Sequence, residues 1–429
     1  MKNGTIEERV GAPGTVEDPL FAAAGEGGAV DLSSLRIALV HDFLYTYAGA
    51  ERVLGEMLEV VPQADVFSLF DFLPEKERHF LMGKRVQTSF LQRMPMARRK
   101  HRSYLPLMPL AAESLDMSGY DLVISSSYLT AKGVITGPHQ LHMCYCHSPA
   151  RFAWDQQQQY LSQSGLLTGL RGILAKLVLH YIRNWDVRSA NGVDIFLSNS
   201  QFVRQRIEKV YRRDATPIYP PVDVDRFKLQ PIKEDFYVTA SRLVPYKRVD
   251  LVVEAFSRMP DRKLVVIGEG PELAKIRKLA AGNVEIMGHQ PHAVMADLMG
   301  RARGFVFAAE EDFGISPVEA QACGTPVIAF GRGGVTETVI TGKTGLFFPR
   351  QTVESLMLAV EKFEHHGWDP IAIRKHAEQF SREAFQRSFR REVMTAMALF
   401  QHRRGQSGPG DARRGREMSV RRDSLSLAK

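Results

Sequence analysis

A series of short apolar runs alternating with segments of helical periodicity constrains this chain more than any other feature. "RIALVHD", "ADVFSLF", "DLVISSS", "LHMCYCHS" and "VDIFLSNS" fall in the first half, and "FYVTAS", "KLVVIGEG", "VEIMG", "GFVFAA" and "TPVIAFG" in the second. Each run has the length of a strand and is nearly continuously apolar, so both faces of the strand are expected to be covered. Strands of this kind separated by helices make parallel sheets, and the expected fold is α/β. The Pro-rich "TPIYPPVDVDRF" at 216–227 divides the two series, and Pro220 and Pro221 cannot continue a helix. Two Rossmann-like domains are expected, residues 35–220 and 221–402, with a hinge near residue 220. Ligands of such sheets bind at the carboxyl ends of the strands, so both domains should present loops to a shared cleft.

Outside these bounds, residues 1–34 and 403–429 are rich in Gly, Ser and charge and too poor in apolar residues to offset the entropy of ordering; both read as flexible tails, the second basic. No apolar run reaches the ~18 residues of a spanning helix and the amino terminus has no signal-peptide core, which points to the cytoplasm. Three cysteines, Cys144, Cys146 and Cys323, do not make a disulfide framework. The net charge of +8 is uneven: residues 35–222 carry 22 basic and 16 acidic groups, whereas residues 223–402 carry 24 and 23. A basic amino-terminal half suits an anionic membrane as readily as a solvated face; a nucleic-acid partner is not expected.

Several motifs sit where loops should line the cleft. Gly49 in "HDFLYTYAGAERVLGEML" precedes a helix, where a phosphate can reach backbone N–H groups without intrahelical partners. In "VTASRLVPYKRVDLVVEAF", Arg242 and Lys247 lie beyond a strand and before a helix, a planar fork and a point charge suited to a diphosphate. In "EEDFGISPVEAQACGTPVIAFGRGG", Glu311 falls in a loop, Phe313 and Gly314 turn the chain, and Glu319 opens the helix after Ile315. Two carboxylates so placed could accept hydrogen bonds from the hydroxyls of a sugar and a ribose.

Taken together, "AGAERV", "PPVDVDRF", "SRLVPYKRVD" and "EEDFGISPVEAQACGTPVIA", in this order, resemble the family 4 retaining glycosyltransferases of GT-B fold with a Glu-x7-Glu motif. The similarity runs over about residues 35–400. It implies that Glu319 binds the ribose, that Glu311 lies by the donor sugar with Phe313, Gly314 and Ile315 in the same donor loop, and that Arg242, Lys247 and the Gly49 amide bind the diphosphate. Asp312 departs from the Glu-Gly-Phe-Gly common in that family. "YCHSPARFAWD" at 145–155 resembles a stretch of bacterial mannosyltransferases for surface polysaccharides, including O-antigen, which places His147 by the reacting sugar and leaves Arg151 and Asp155 undecided.

Other signals carry less. His142, Cys144 and Cys146 alternate on one face of a single strand, without the spacing of a zinc site. Asp223 and Asp225 imitate a metal-binding Asp-x-Asp but lie in the hinge. "GEGPEL" at 268–273 lacks the third glycine of a dinucleotide fingerprint.

The resulting expectation is a metal-independent hexosyltransferase without a cofactor, with a donor domain at the carboxyl end and an acceptor domain at the amino end. GDP-mannose is the favoured donor and a UDP-hexose the next, with a growing, lipid-linked glycan as acceptor in exopolysaccharide or lipopolysaccharide synthesis. A nucleotide-sugar epimerase, a phosphorylase-like enzyme and a non-catalytic nucleotide-sugar binding protein remain open. Peripheral docking on the inner face of the cell membrane is expected from Arg98, Arg99, Lys100 and Arg102, and from the stripe Leu166, Leu170, Ile173, Leu174, Leu177, Val178 and Tyr181. The alternative for the stripe is packing against the amino-terminal sheet.

Overall fold

Strands β1 (Ile37–Leu44), β2 (Asp65–Asp71), β3 (Val86–Thr88), β4 (Leu122–Ser127), β5 (Leu141–Cys146), β6 (Ile195–Ser198) and β7 (Thr216–Pro217) form a seven-stranded sheet in the order β3-β2-β1-β4-β5-β6-β7. A second, six-stranded sheet contains β8 (Glu234–Ala240), β9 (Lys263–Ile267), β10 (Val284–Gly288), β11 (Ala302–Phe307), β12 (Val327–Phe330) and β13 (Gly345–Phe348), in the order β10-β9-β8-β11-β12-β13. Adjacent strands are parallel throughout both sheets. These are features of a computed structural model that describes residues 31–406. The expected tails at 1–34 and 403–429 therefore lie, apart from residues 31–34 and 403–406, outside the described residues.

The continuity of the apolar runs has a direct cause. In β8, Phe236, Val238 and Ala240 enter one core layer while Tyr237 enters the layer on the opposite face, so neither face of the strand meets water. Pro217 is accommodated because β7 is an edge strand, where a missing N–H breaks no ladder.

Helices that bear on the site are labelled in chain order: α1 (Gly49–Val60), α2 (Gly169–Ala190), α3 (Gln201–Tyr211), α4 (Val249–Ser257), α5 (Ile315–Ala322), α6 (Val335–Thr338) and α7 (Arg382–Gln406). Helices α1 and α3 follow β1 and β6, while α4, α5 and α6 follow β8, β11 and β12. Each of these helices thus begins at the carboxyl edge of its sheet.

Two details go beyond the sheets themselves. The chain leaves the first sheet through Val222 and returns beside it, where Val222 N–H donates to Phe380 O at 2.9 Å and Val222 bridges Ser381. Past that point Arg382 Nε and Gln386 Nε2 donate to the Glu56 carboxylate at 2.5 and 2.6 Å, and the Phe385 ring packs on Tyr145. Residues 382–390 therefore lie on the amino-terminal half, because Phe385 completes the core there. In α2 the buried face is Leu179, Ile182 and Trp185, while Leu170, Ile173, Leu174, Leu177 and Tyr181 are exposed. The expected stripe is thus divided: these five residues face solvent, while Leu166 and Val178 are half-buried against the amino-terminal core.

Candidate active site

The site is built where the first turns of α1 and α5 meet from opposite sheets. Gly314, with φ +88°, takes a conformation that a side chain would oppose and turns the chain into α5. Beneath this turn lies the loop after β12. A Cβ on Gly334 would stand 2.3 Å from Asp312 O, and the Gly334 N–H donates to Glu311 O at 2.8 Å. "GRGG", which sequence reasoning left unused, is thus the seat of the Glu311 loop. Across the cleft, a Cβ on Gly49 would lie 3.2 Å from Ile315 Cδ1. Two helix amino termini, each carrying partial positive charge, converge here.

Lys247 is in ion-pair contact with Glu311, and both side chains are largely buried. Burial, and then the neighbouring Arg242, push the Lys247 ammonium down to about 8, against the pull of Asp312. Arg242 itself is exposed. Its loop is braced by the segment after β9: Ser241 and Leu243 donate N–H bonds to Ile267 O and Glu269 O at 3.0 and 2.8 Å. This bracing is the part "GEGPEL" plays.

Glu319 is 5% exposed, and its Oε1 accepts from Arg52 Nη1 of α1 at 3.1 Å. Both acids of the Glu-x7-Glu spacing are therefore paired with cations, one from its own half and one from the other. Phe313 is buried, its ring packed on Tyr219 and Phe380.

His147 directly follows β5, and its Nε2 is 2.9 Å from Ser126 Oγ. Burial, and then the nearby His41, lower its pKa to about 3, so the imidazole is neutral at ordinary pH. Asn199 donates to His147 O at 2.9 Å and fixes the backbone. Asp42, at the end of β1, accepts N–H bonds from Tyr128, Leu129, Thr130 and Ala131 at 2.5 to 3.0 Å, which shapes the loop after β4. The signal for these groups was the polar residues toward the carboxyl ends of otherwise apolar strands: "HD" in β1 and "SSS" in β4.

Asp312 bonds to the opposite half. Its Oδ1 lies 2.7 Å from Arg206 Nη1 and 3.3 Å from Arg151 Nη1, while Arg206 also reaches Asp155 at 3.0 Å. Arg151 and Asp155, left open by the sequence, thus share one ion cluster with Asp312. Nearby, the Glu337 carboxylate of α6 accepts the Gln201 and Phe202 N–H groups at 2.7 and 2.9 Å, capping α3 from across the cleft.

The remaining candidates lie apart. Asp223 pairs with Arg226 at 3.0 Å and Asp225 with Arg374 at 3.5 Å, so each hinge acid has its own cation. His142 bonds Ser125 Oγ at 2.9 Å, and Cys144 and Cys146 are buried in β5. Among the described residues no group of three His, Cys, Asp or Glu side chains could hold a metal ion. Arg98, Arg99, Lys100 and Arg102 are all exposed in the segment around Ala97–Lys100. No helix among the described residues is long and apolar enough to cross a membrane.

Two family models match in succession: Glycosyltransferase Family 4 over residues 47–226 and Glycosyl transferases group 1 over residues 222–387. A GDP-mannose-dependent alpha-(1-6)-phosphatidylinositol monomannoside mannosyltransferase of Mycolicibacterium smegmatis is 31% identical over 206 residues, 40% of this chain and 53% of that protein. The chain thus spans about half the length of that relative. Alpha-1,3/1,6-mannosyltransferase alg2 of Schizosaccharomyces pombe is 24% identical over 332 residues, 65% of this chain and 63% of that protein. Among solved structures, Anabaena HepE in complex with UDP matches with a TM-score of 0.60 and 18% identity, over 83% of this chain and 99% of that one. The likeness is one of fold, two facing parallel α/β sheets in the GT-B arrangement.

Proposed function

We propose that this chain, whose two halves match the Glycosyltransferase Family 4 and Glycosyl transferases group 1 models, transfers mannose from GDP-mannose, with retention of configuration, to a lipid-linked glycan in surface polysaccharide synthesis. The observation that carries the donor reading is the convergence of Lys247, Glu311 and the first turns of α1 and α5 on one cleft. Departure of a nucleoside diphosphate creates negative charge. Arg242, Lys247 and the two helix termini are placed to stabilise that charge more in the transition state than before it. Glu319 offers a buried carboxylate for ribose hydroxyls, Glu311 one for the donor sugar, and His147 stands on the acceptor side. The positive charge of Arg242 and Lys247 takes the part a metal ion would play, so the reaction is assigned as metal-independent. Mannose and GDP are favoured by the activity for which relatives such as the Mycolicibacterium smegmatis protein are named.

The acceptor side is assigned to an anionic bilayer. Helix α2, which carries the exposed Leu170, Ile173, Leu174, Leu177 and Tyr181, adjoins the turn His101–Leu107, which follows the exposed Arg98, Arg99 and Lys100 and contains the exposed Arg102. Apolar side chains next to a basic cluster complement acidic headgroups, each cation near such a surface contributing about 1 kcal/mol.

The test is transfer of labelled hexose from GDP-mannose or UDP-glucose to a bacterial lipid extract, with and without EDTA. Mannose transfer unaffected by chelator is the expected result. Transfer only from UDP-glucose overturns the donor assignment, dependence on added manganese overturns metal independence, and donor binding without any product overturns the enzyme reading.

A further inference from the structure

A line of polar side chains connects the interior of the amino-terminal half with His147. Glu51 Oε1 in α1 is 3.5 Å from His41 Nε2, His41 Nδ1 is 3.1 Å from Ser126 Oγ, and Ser126 Oγ is 2.9 Å from His147 Nε2. Register makes this line possible, since β1 and β4 pair with His41 opposite Ser126. His41 and Ser126 are 0% exposed and Glu51 is 6% exposed. Water therefore does not compete for these atoms.

The donors and acceptors in the line have one consistent order. An ionised carboxylate only accepts, so it favours a proton on the His41 nitrogen that faces it; at 3.5 Å this acts through charge more than through a full hydrogen bond. His41 Nε2 has no hydrogen-bond partner among the described residues, and Glu51 is the ion-pair contact it makes. A neutral His41 then presents a bare Nδ1, to which the Ser126 hydroxyl donates. The Ser126 oxygen in turn accepts from Nε2–H of His147.

We propose that Glu51, His41 and Ser126 are positioning residues that hold His147 in its Nε2–H tautomer, leaving Nδ1 as a hydrogen-bond acceptor for a sugar hydroxyl in the cleft. This rests on the placement of His147 beside the reacting sugar. The inference also explains why acidic Glu51 is buried at the start of a helix. Its other oxygen accepts the Ala48 N–H at 3.0 Å, so one carboxylate both caps α1 and ends the line.

Glu51→Gln separates those two tasks. The amide oxygen keeps the Ala48 bond while the NH2 group donates to His41 Nε2, which reverses every bond in the line and puts the His147 proton on Nδ1. The experiment is nitrogen NMR of the full chain labelled at histidine, with the His147 signals assigned by their loss in His147→Ala. The wild-type protein should show Nε2–H, and Glu51→Gln should show Nδ1–H with an unchanged melting temperature. Turnover should fall by on the order of tenfold to a hundredfold, as for a misplaced catalytic contact, with GDP affinity unaltered by calorimetry. Ser126→Ala, which cuts the line without reversing it, should leave both tautomers populated. An Nδ1–H tautomer in the wild type, an unmoved tautomer in Glu51→Gln, or a reversed tautomer with unchanged turnover each overturns the proposal. If the underlying transfer reading is wrong, the result is different: the wild-type protein transfers no hexose at all.

Discussion

Asp312 Oδ1 stands 2.7 Å from Arg206 Nη1 and 3.3 Å from Arg151 Nη1, so a carboxylate in the loop after β11 is held by two cations from the opposite sheet. Burial raises the Asp312 pKa, and Arg151 and then Arg206 act to lower it. Asp312→Asn removes the charge but keeps the shape, leaving two partly buried guanidinium groups without it. Stability should fall by about 1–3 kcal/mol, below the full cost of breaking a buried pair because these side chains retain some solvent contact. Urea unfolding checks this, and a loss smaller than about 0.5 kcal/mol, within the range of ordinary surface substitutions, would show that the cluster is not a structural link.

Lys247 sets an alkaline limit. Because its pKa in the free protein is lowered to about 8, the ammonium is present below that pH and lost above it. The kcat/KM for the donor, which reports the free enzyme, should therefore decline as pH rises through about 8. Lys247→Arg keeps its charge throughout this range, so the decline should vanish in that variant even if the maximum rate drops. A wild-type profile that is flat to pH 9.5 would count against the diphosphate role.

Glu319 and Arg52 should shift nucleotide affinity in opposite directions. Glu319→Gln loses a charged acceptor for the ribose and should weaken GDP binding by about 1.5–3 kcal/mol. Arg52→Ala removes the cation that occupies this carboxylate at 3.1 Å and should tighten binding severalfold. Calorimetry on both variants decides, and equal weakening in the two would place Arg52 on the ligand instead of in competition with it.

Much of this arrangement was legible in the sequence because it depends on periodicity and on local spacing. Continuous apolar runs specified strands buried on both faces, and Pro220 and Pro221 marked the passage between two sheets. Lys247 and Glu311 were legible as residues of loops at the carboxyl edge of a sheet because each follows a strand. Their mutual contact was not, since it joins loops after two different strands. The same reason hid Arg52–Glu319, Arg206–Asp312 and the Glu337 cap on α3: sequence spacing carries no record of pairs more than a hundred positions apart. The α2 stripe was legible only as a helix face. Apolar periodicity defines a face but not what covers it, and Leu179, Ile182 and Trp185 took the buried side.

Membrane docking is checked by replacing Arg98, Arg99, Lys100 and Arg102 together with Gln. This variant should be released from vesicles containing acidic lipid at about 0.1 M salt, where screening acts over about 10 Å, while its melting-temperature shift with GDP matches the wild type. Leu170→Ser with Leu174→Ser, on the exposed stripe, should weaken retention on the same vesicles at low salt. Failure of the wild-type protein to sediment with acidic vesicles at low salt would leave both surfaces without a lipid partner.

The return of the chain beside its own exit has a mechanical meaning. Val222 leads out of the first sheet and Phe380 and Ser381 lead back, joined by a hydrogen bond and a bridge. Two bodies connected by one strand can twist and slide freely, but two adjacent crossings act as neighbouring pins on one edge. Translation between the halves is thereby suppressed, and the easy motion left is rotation about that edge, like a jaw. In such a device displacement grows with distance from the pins, so any rotation about that edge would move the contacts far from Val222 most.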